Sequence, residues 1–191
     1  RLVAESASRL RPLVGRNAQA FAGDALNWEV LMTAFTGADA VFTLIPTNLT
    51  AGNFLAYCDS ISESIARALK TAKVRYVVNL SSIGADLSEG TGPIKGLHDH
   101  EERLNRIEGL NVLHLRPAAF MENLLGNIDP IRSRGVNGSA YRGDLKFPMI
   151  ATRDIAAAAA ERLVKRDFTG SAIEPLLGQR DLSMVEATEI I

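Results

Sequence analysis

The chain has 191 residues, with 21 Lys and Arg against 22 Asp and Glu, so its formal net charge is −1. This length fits one domain, and the balanced charge argues against a nucleic-acid-binding surface. No run reaches the roughly 20 apolar residues that a membrane helix needs, which argues against a membrane protein. The single cysteine, Cys58, excludes an internal disulfide. We therefore expect a cytoplasmic, globular protein.

The first third of the chain predicts short strands that alternate with helices. Residues 1–4 predict the end of a strand, and the helix after them tolerates Pro12 only in its first turn. Asn27 is the predicted N-cap of a helix over residues 28–35. Residues 40–45 (AVFTLI) are a near-continuous apolar run with β-branched side chains, which predicts a strand buried on both faces.

The middle of the chain repeats this alternation. Apolar residues from 54 to 68 recur at helical spacing and predict about five turns of helix. Residues 76–80 (YVVNL) predict a second buried strand, and residues 84–96 predict a polar, glycine-rich loop that could cover a substrate. A helix over residues 97–107 and a strand over 112–115 follow.

The last third begins with a predicted helix over residues 120–131. Thr152 is the predicted N-cap of an alanine-rich helix over residues 154–164. Ser183 and Glu186 form a capping box for the last helix. Strands alternating with helices throughout predict an α/β fold with a doubly wound parallel sheet.

Ligands of open parallel sheets bind at the carboxyl ends of the strands. The candidate site residues are therefore those that follow each predicted strand. They are Glu5, Ser6, Asp24, Ala25, Pro46, Thr47, Asn48, Ser81, Ser82 and the stretch from Pro117 to Asn123.

Six segments in a fixed order carry a resemblance to a known family. They are Gly23-Asp24, GADAVFTLIP, YVVNLSSIGA, LHDHEERL, LHLRPAAFMEN and ATRDIA. In this order they resemble the NmrA-like branch of the atypical short-chain dehydrogenases/reductases, over essentially the whole chain. The resemblance implies a single Rossmann-type domain over residues 1–191 that binds NAD(H) or NADP(H). It also implies that residues 119–150 and 168–191 contribute to the substrate side.

The resemblance implies an NAD(P)H-dependent oxidoreductase that reduces a quinone or a related carbonyl by hydride transfer. Some members of the branch are instead non-catalytic sensors of the NAD(P)H state, and this alternative stays open. The expected partner is a small-molecule substrate, without nucleic acid or membrane. The oligomeric state is open, with a homodimer as one option.

The family's first strand and its Gly-x-x-Gly-x-x-Gly turn are missing from these 191 residues. That turn brings backbone amides to the pyrophosphate of a dinucleotide. Either about 30 residues, one strand-plus-helix unit, precede Arg1 in the complete protein, or this form does not hold a dinucleotide in the usual way. We expect the first, together with a continuation beyond Ile191.

The catalytic position also departs from the wider superfamily, which uses Ser, Tyr and Lys. Ser82 matches the serine, whereas His98 stands at the tyrosine position and Glu102 at the lysine position. As a catalytic set, Glu102 would orient His98, which would exchange a proton near neutral pH. The alternatives are turn-forming hydroxyls at Ser81 and Ser82 and an ordinary helix-surface pair.

The resemblance assigns the cofactor contacts to Glu5, Asp24, Ala25, Leu44, Ile45, Pro46, Ser81, Ser82, Pro117 and Phe120. Glu5 would accept hydrogen bonds from the ribose hydroxyls, which gives a slight preference for NAD(H) over NADP(H). Asp24 would meet the adenine amino group, or would simply cap the next helix. Arg116 could hold the following loop through backbone carbonyls.

The substrate contacts implied by the resemblance are Phe120, Met121 and Asn123. Phe120 could stack on a flat ring, although Phe120 and Met121 would equally suit a core. We expect no metal site, because helical spacing separates His98, His100 and Glu102, and we expect His100 to be solvated. Cys58 lies on an apolar helix stripe and is expected to be a buried, inert thiol.

Overall fold

The structure, a computed structural model, describes residues 1–14, 18–48 and 50–191, and its strands alternate with helices throughout. In chain order the elements are β1 (Leu2–Ala4), α1 (Ala7–Val14), β2 (Ala20–Ala22), α2 (Trp28–Phe35), β3 (Val41–Leu44), α3 (Phe54–Ala72), β4 (Tyr76–Leu80), α4 (Lys95–Asn105), β5 (Asn111–Pro117), β6 (Ala119–Phe120), α5 (Ile128–Arg134), β7 (Phe147–Ile150), α6 (Thr152–Lys165), β8 (Ser171–Leu176), β9 (Asp181–Leu182) and α7 (Met184–Ile190). Two 3-10 segments cover Gly92–Ile94 and Met121–Asn127.

The main sheet has four parallel strands in the order β3-β4-β5-β8. Its register places Leu44 beside Leu80 and Leu80 beside Leu115. The carboxyl ends of β3 and β4 are therefore level, and β5 continues two residues further, to Pro117. The residues that follow these strands emerge along one edge of the sheet.

Helices cover both faces of the sheet except at β3. The prediction that this strand is buried on both faces was wrong, because Phe42 and Leu44 on one face are exposed beside the gap between β3 and β1. On one face Val77 and Val112 pack into a core with α3 and α4, where Ile61 and Leu104 are fully buried. On the other face Val78 packs with residues of β5 and α6 in a second cluster. This arrangement confirms the α/β, doubly wound parallel architecture that the alternation predicts.

Local signals in the sequence placed several elements correctly. Asn27 caps α2 by accepting from the amides of Glu29 and Val30, and Ser183 with Glu186 forms the complete capping box of α7. The helix predicted from residue 54 spans 19 residues. The Cys58 thiol is buried, as its place on the apolar stripe predicts.

The prediction for α1 was wrong, because Pro12 lies in its last turn rather than its first. Pro12 removes an amide donor from that turn, and the helix ends at Val14, two residues later.

The prediction of one helix over residues 120–131 was also wrong. Phe120 belongs to the short strand β6, which pairs in parallel with β7, and a 3-10 segment then leads into α5. Pairing of Ala119 with Met149 and of Phe120 with Ile150 fixes an extended backbone there. Tertiary contact thus overrides the local helical signal.

Thr152 is not the N-cap of α6. It is the first residue of the helix, and the cap position is Ala151, whose side chain cannot accept a hydrogen bond. The carboxylate of Glu122 takes that role from the 3-10 segment, because it accepts from the Thr152 amide at 2.9 and 3.0 Å and from the Thr152 hydroxyl at 2.7 Å. A distant side chain therefore caps this helix, which no local pattern could reveal.

Candidate active site

The segment that follows β4 lies beside the end of β5 at the carboxyl edge of the main sheet. The Ser81 amide donates to the Leu115 carbonyl at 2.8 Å, and the Ile83 amide donates to the Pro117 carbonyl at 3.1 Å. These bonds continue the pairing of β4 and β5 beyond the strands. Ser82 therefore lies directly beside Pro117, as expected from the strand-end rule.

A groove of about 730 Å³ runs between β1 and β3. It begins near Arg1 and Ala40 at the amino ends of the two strands and reaches Glu5 and Leu44 at their carboxyl ends. Within the described residues, β1 pairs only with β2, and β3 pairs only with β4. The groove is thus bounded by two strand edges whose backbone groups are free for pairing.

The end of the groove at the carboxyl ends of β1 and β3 brings together four of the ten residues predicted to contact the cofactor. Its lining there includes Glu5, Gly23, Ala25, Leu44, Pro46 and Tyr57. Ile45 does not line it, because its side chain is buried in the core beneath β3. Asp24 is exposed and accepts a hydrogen bond from the Leu26 amide at 2.9 Å, which is the turn-forming role.

Tyr57, in the first turn of α3, is a site residue that sequence reasoning missed. Burial, together with the negative charges of Asp24 and Glu5, raises the pKa of Tyr57. The phenol therefore stays protonated and can donate a hydrogen bond in this acidic corner. The sequence signal that could have identified Tyr57 is its position directly before Cys58, on the apolar side of the helix, since both residues face inward.

The two serines after β4 differ in their surroundings. The Ser82 hydroxyl donates to the Ile83 carbonyl at 3.0 Å, so it has a local partner in the turn. The Ser81 hydroxyl is buried and has no partner among the described residues. A buried hydroxyl without a partner is costly, and an incoming polar group would satisfy it.

His98 lies on α4 beside the turn that follows Ser82. Its Nδ1 is 2.8 Å from the Ala85 carbonyl oxygen. A carbonyl only accepts, so Nδ1 carries the proton and, in the neutral ring, Nε2 keeps its lone pair. Glu102, one turn later, contacts Arg106 at 3.5 Å. Ala85, rather than Glu102, is thus the hydrogen-bond partner that orients the imidazole in this structure.

The predicted substrate residues follow β5. Phe120 and Met121 are half-buried against apolar clusters, whereas Asn123 is exposed. Glu122, between them, ties the segment to α6 through Thr152. Phe120 therefore has both a packing role and a surface at the end of the sheet.

The expectation that His100 is solvated was wrong. Its ring is fully buried, and Nδ1 lies 2.7 Å from the Ser62 hydroxyl on α3. Packing of α4 against α3 turns this side chain inward, which a search for apolar spacing cannot detect. Desolvation lowers the pKa of His100 to about 3, so the ring is neutral at pH 7.

A second buried histidine lies within the sheet. The Asn79 amide donates to Nδ1 of His114 at 3.1 Å, and Nε2 of His114 donates to Asn105 at 2.9 Å. Thr43 extends the chain of hydrogen bonds by donating to Asn79 at 3.1 Å. Burial lowers the pKa of His114 to about 4, so this network holds a neutral ring.

Arg116 was expected to bind backbone carbonyls, but it pairs with a carboxylate. Its Nε and Nη2 donate to Glu101 at 3.0 and 2.6 Å. Glu101 is buried on α4, and the guanidinium also lies 3.9 Å from Asp86 in the turn after β4. The pair links α4 to the end of β5.

Three side chains offer polar groups that suit a nicotinamide cofactor. Ser81 offers an unsatisfied buried hydroxyl at the sheet edge, and Glu5 and Tyr57 offer an acceptor and a donor at the groove. In the part of the chain that the structure describes, no cluster of His, Cys, Asp and Glu could hold a metal ion. None of the described helices has the length and apolar character needed to cross a membrane.

Comparison with known proteins also indicates a protein that binds a nicotinamide cofactor. A reductase of Streptomyces griseus, named for (4-alkanoyl-5-oxo-2,5-dihydrofuran-3-yl)methyl phosphate, is 31% identical over 139 residues, which are 73% of this chain and 46% of that protein. A crystal structure of an NADPH-dependent quinone oxidoreductase from Escherichia coli with NADPH superposes with a TM-score of 0.81 at 20% identity, over 95% of this chain and 61% of the other. Citrobacter triphenylmethane reductase gives 0.80 at 14% identity, over 98% and 63%.

The chain spans about half to two thirds of the length of these proteins. The two solved structures confirm the Rossmann-type fold. A family model described as NAD(P)H-binding matches residues 1–166, which carry the groove and the strand ends described above. The chain therefore belongs to the NAD(P)H-binding family.

Proposed function

We propose that the protein is an NAD(P)H-dependent oxidoreductase that reduces a quinone or a related carbonyl compound. The observation that carries the proposal is the convergence of Ser81, Ser82 and Pro117 at the same sheet edge as the Glu5–Tyr57 end of the groove, in a chain of the NAD(P)H-binding family. The names of its relatives, a reductase and a quinone oxidoreductase, support the reaction class.

In this proposal the groove end holds the adenosine side of the cofactor, with Glu5 accepting from the ribose hydroxyls and Ala25, Leu44 and Pro46 packing on it. Ser81 and Ser82, beside Pro117 and Phe120, hold the nicotinamide side. The bound cofactor supplies a hydride to the substrate.

The substrate lies against Phe120, Met121 and Asn123 at the end of β5. Phe120 supplies an aromatic surface for a flat ring. The segments 119–150 and 168–191 form this side of the domain.

His98 handles the proton in this scheme. With Nδ1–H donated to Ala85, the Nε2 position can bind and release a proton at the substrate side. Replacing His98 by Gln should lower turnover and leave cofactor affinity nearly unchanged. The matched control is Asp99→Asn on the same helix, whose carboxylate pairs with Lys95 at the surface. Equal turnover in wild type and His98→Gln would make the histidine structural.

The cofactor preference proposed is NAD(H) over NADP(H). Glu5 lines the groove, and the charges of Glu5 and Asp24 both reach Tyr57, so this corner repels a 2′-phosphate. A Glu5→Arg variant should weaken NADH and strengthen NADPH. Unchanged affinity for both would place Glu5 away from the ribose.

The test of the function is a turnover assay on the full-length protein with NADH or NADPH and a series of small quinones. Loss of reduced-cofactor absorbance above background supports the proposal. Cofactor binding without turnover on any quinone would reject the proposed reductase activity and favour a non-catalytic sensor of the NAD(P)H state. A sensor would not need a catalytic His98–Glu102 pair, and Glu102 pairs with Arg106 rather than with His98. A cytoplasmic location is proposed with the function, because the one thiol is free and buried.

A further inference from the structure

A buried ion pair lies immediately behind the proposed active site. Glu101 and Arg116 form two parallel hydrogen bonds at 3.0 and 2.6 Å, and their side chains are only 4% and 15% exposed. This fork geometry fixes the relative orientation of both groups, unlike a single surface contact.

The position of the pair relates it to the site. Glu101 follows His98 by one turn of α4, so the two residues share a rigid element. Arg116 directly precedes Pro117, beside Ser82, in the strand that leads to Phe120. The pair therefore sets the separation between the helix that carries His98 and the strand end that carries the substrate side.

The same guanidinium reaches the turn after Ser82. Its Nη1 lies 3.9 Å from Asp86, whose neighbour Ala85 accepts from His98 at 2.8 Å. Ala85 is itself 1% exposed. Two adjacent residues of this turn are therefore held from different elements. Arg116 on β5 attracts Asp86, and His98 on α4 donates to Ala85.

Stability alone is a weak reason for such a pair. Removing two charges from water is costly, and apolar replacements of buried ion pairs are often neutral or stabilising. An apolar pair could not supply the two parallel hydrogen bonds between Arg116 and Glu101, nor the attraction between the Arg116 guanidinium and the Asp86 carboxylate.

We propose that Glu101 and Arg116 are positioning residues that hold the Ser82–Ala85 turn and His98 in register with the substrate side. The proposal rests on the proposed function for its kinetic consequence, but its structural consequence is independent of it. Neither residue touches the reacting atoms in this account.

The experiment compares full-length wild type with Glu101→Gln, Arg116→Lys and the apolar double variant Glu101→Met/Arg116→Met. Hydrogen exchange is followed at the Ile83 and Ala85 amides, which donate to Pro117 and Ser82. We expect exchange to rise about tenfold or more in all three variants, with the double variant keeping a cooperative unfolding transition. The Asp99→Asn variant, which removes an exposed carboxylate of the same helix, should leave this exchange unchanged.

The kinetic arm uses NADH and a small quinone. We expect kcat to fall at least tenfold in the same three variants, while KM for NADH stays within about twofold. Exchange at Ile83 and Ala85 equal to wild type in the double variant would overturn the proposal, whatever the activity. A wild-type protein without turnover would reject the proposed function, and the exchange result would still decide whether the pair positions the turn.

Discussion

Lowering the pH from 7 to 5 should destabilise this protein through two histidines that the fold keeps neutral. His100 and His114 are 0% and 1% exposed, and burial lowers their pKa values to about 3 and about 4. In the unfolded chain a histidine has a pKa of about 6.5. Between these values the unfolded state binds more protons, so stability is complete above about pH 6.5 and falls as the pH drops.

The size of the effect follows from the difference between the two states. At pH 5 each ring is neutral in the folded state and largely protonated in the unfolded state, which costs about 2 kcal/mol per histidine relative to pH 7. Together the two rings should lower the free energy of unfolding by about 4 kcal/mol, a large share of the usual 5–15 kcal/mol. Most carboxylates titrate below this window, so the histidines dominate it.

The assay is urea unfolding at pH 7, 6 and 5, followed by the fluorescence of the single tryptophan. Trp28 packs beneath the guanidinium of Arg67 at 3.8 Å, so its signal reports the packing of α2 on α3. A His114→Gln variant can still accept from Asn79 and donate to Asn105, and it should lose about half of the pH dependence.

An equal free energy of unfolding of wild type at pH 5 and pH 7 would contradict the role of these two histidines. A full pH dependence in His114→Gln would contradict it as well, because the slope would then arise from other groups.

Two further predictions concern packing and capping. At Gly96 an added Cβ would lie 2.8 Å from the Cβ of Cys58, so Gly96→Ala should cost about 1–3 kcal/mol in urea unfolding, whereas Gly52→Ala, in open space, should not. Equal stability of the two variants would show that α3 and α4 can separate freely. Hydrogen bonds from Thr152 lower the pKa of Glu122, so Glu122→Ala should lower Tm at pH 7. That difference should vanish as the pH falls through the folded pKa of Glu122, below about 4.5, and a difference that persists there contradicts the capping role.

The sequence predicted the central part of the fold because its strands are short, mostly apolar runs. β3 and β4 each contain one polar residue, Thr43 and Asn79, and their neighbours α2 and α3 begin at asparagine caps. By contrast, β8 contains Glu174 and Pro175 and escaped detection. It lies at the edge of the sheet, where a proline is tolerated and where Glu174 pairs with Arg162 at 2.8 Å.

The candidate site was predictable only where it follows directly from strand ends. Ser81, Ser82 and Pro117 were found in this way, since neighbouring parallel strands deliver their next residues to one edge. The Glu101–Arg116 pair and the cap of α6 by Glu122 each join residues 15 or more positions apart. Such contacts depend on how α4 and the 3-10 segment pack, which residue spacing alone does not encode.

The groove between β1 and β3 separates the two-stranded sheet β1-β2 from the main sheet β3-β4-β5-β8. Its walls present backbone donors and acceptors on both sides, and Phe42 and Leu44 of β3 remain 38% and 41% exposed beside it. One extended segment laid between them, parallel to both, would hydrogen-bond to each wall and merge the sheets into a single continuous one. The adenosine end and the catalytic end of the proposed site would then rest on one sheet.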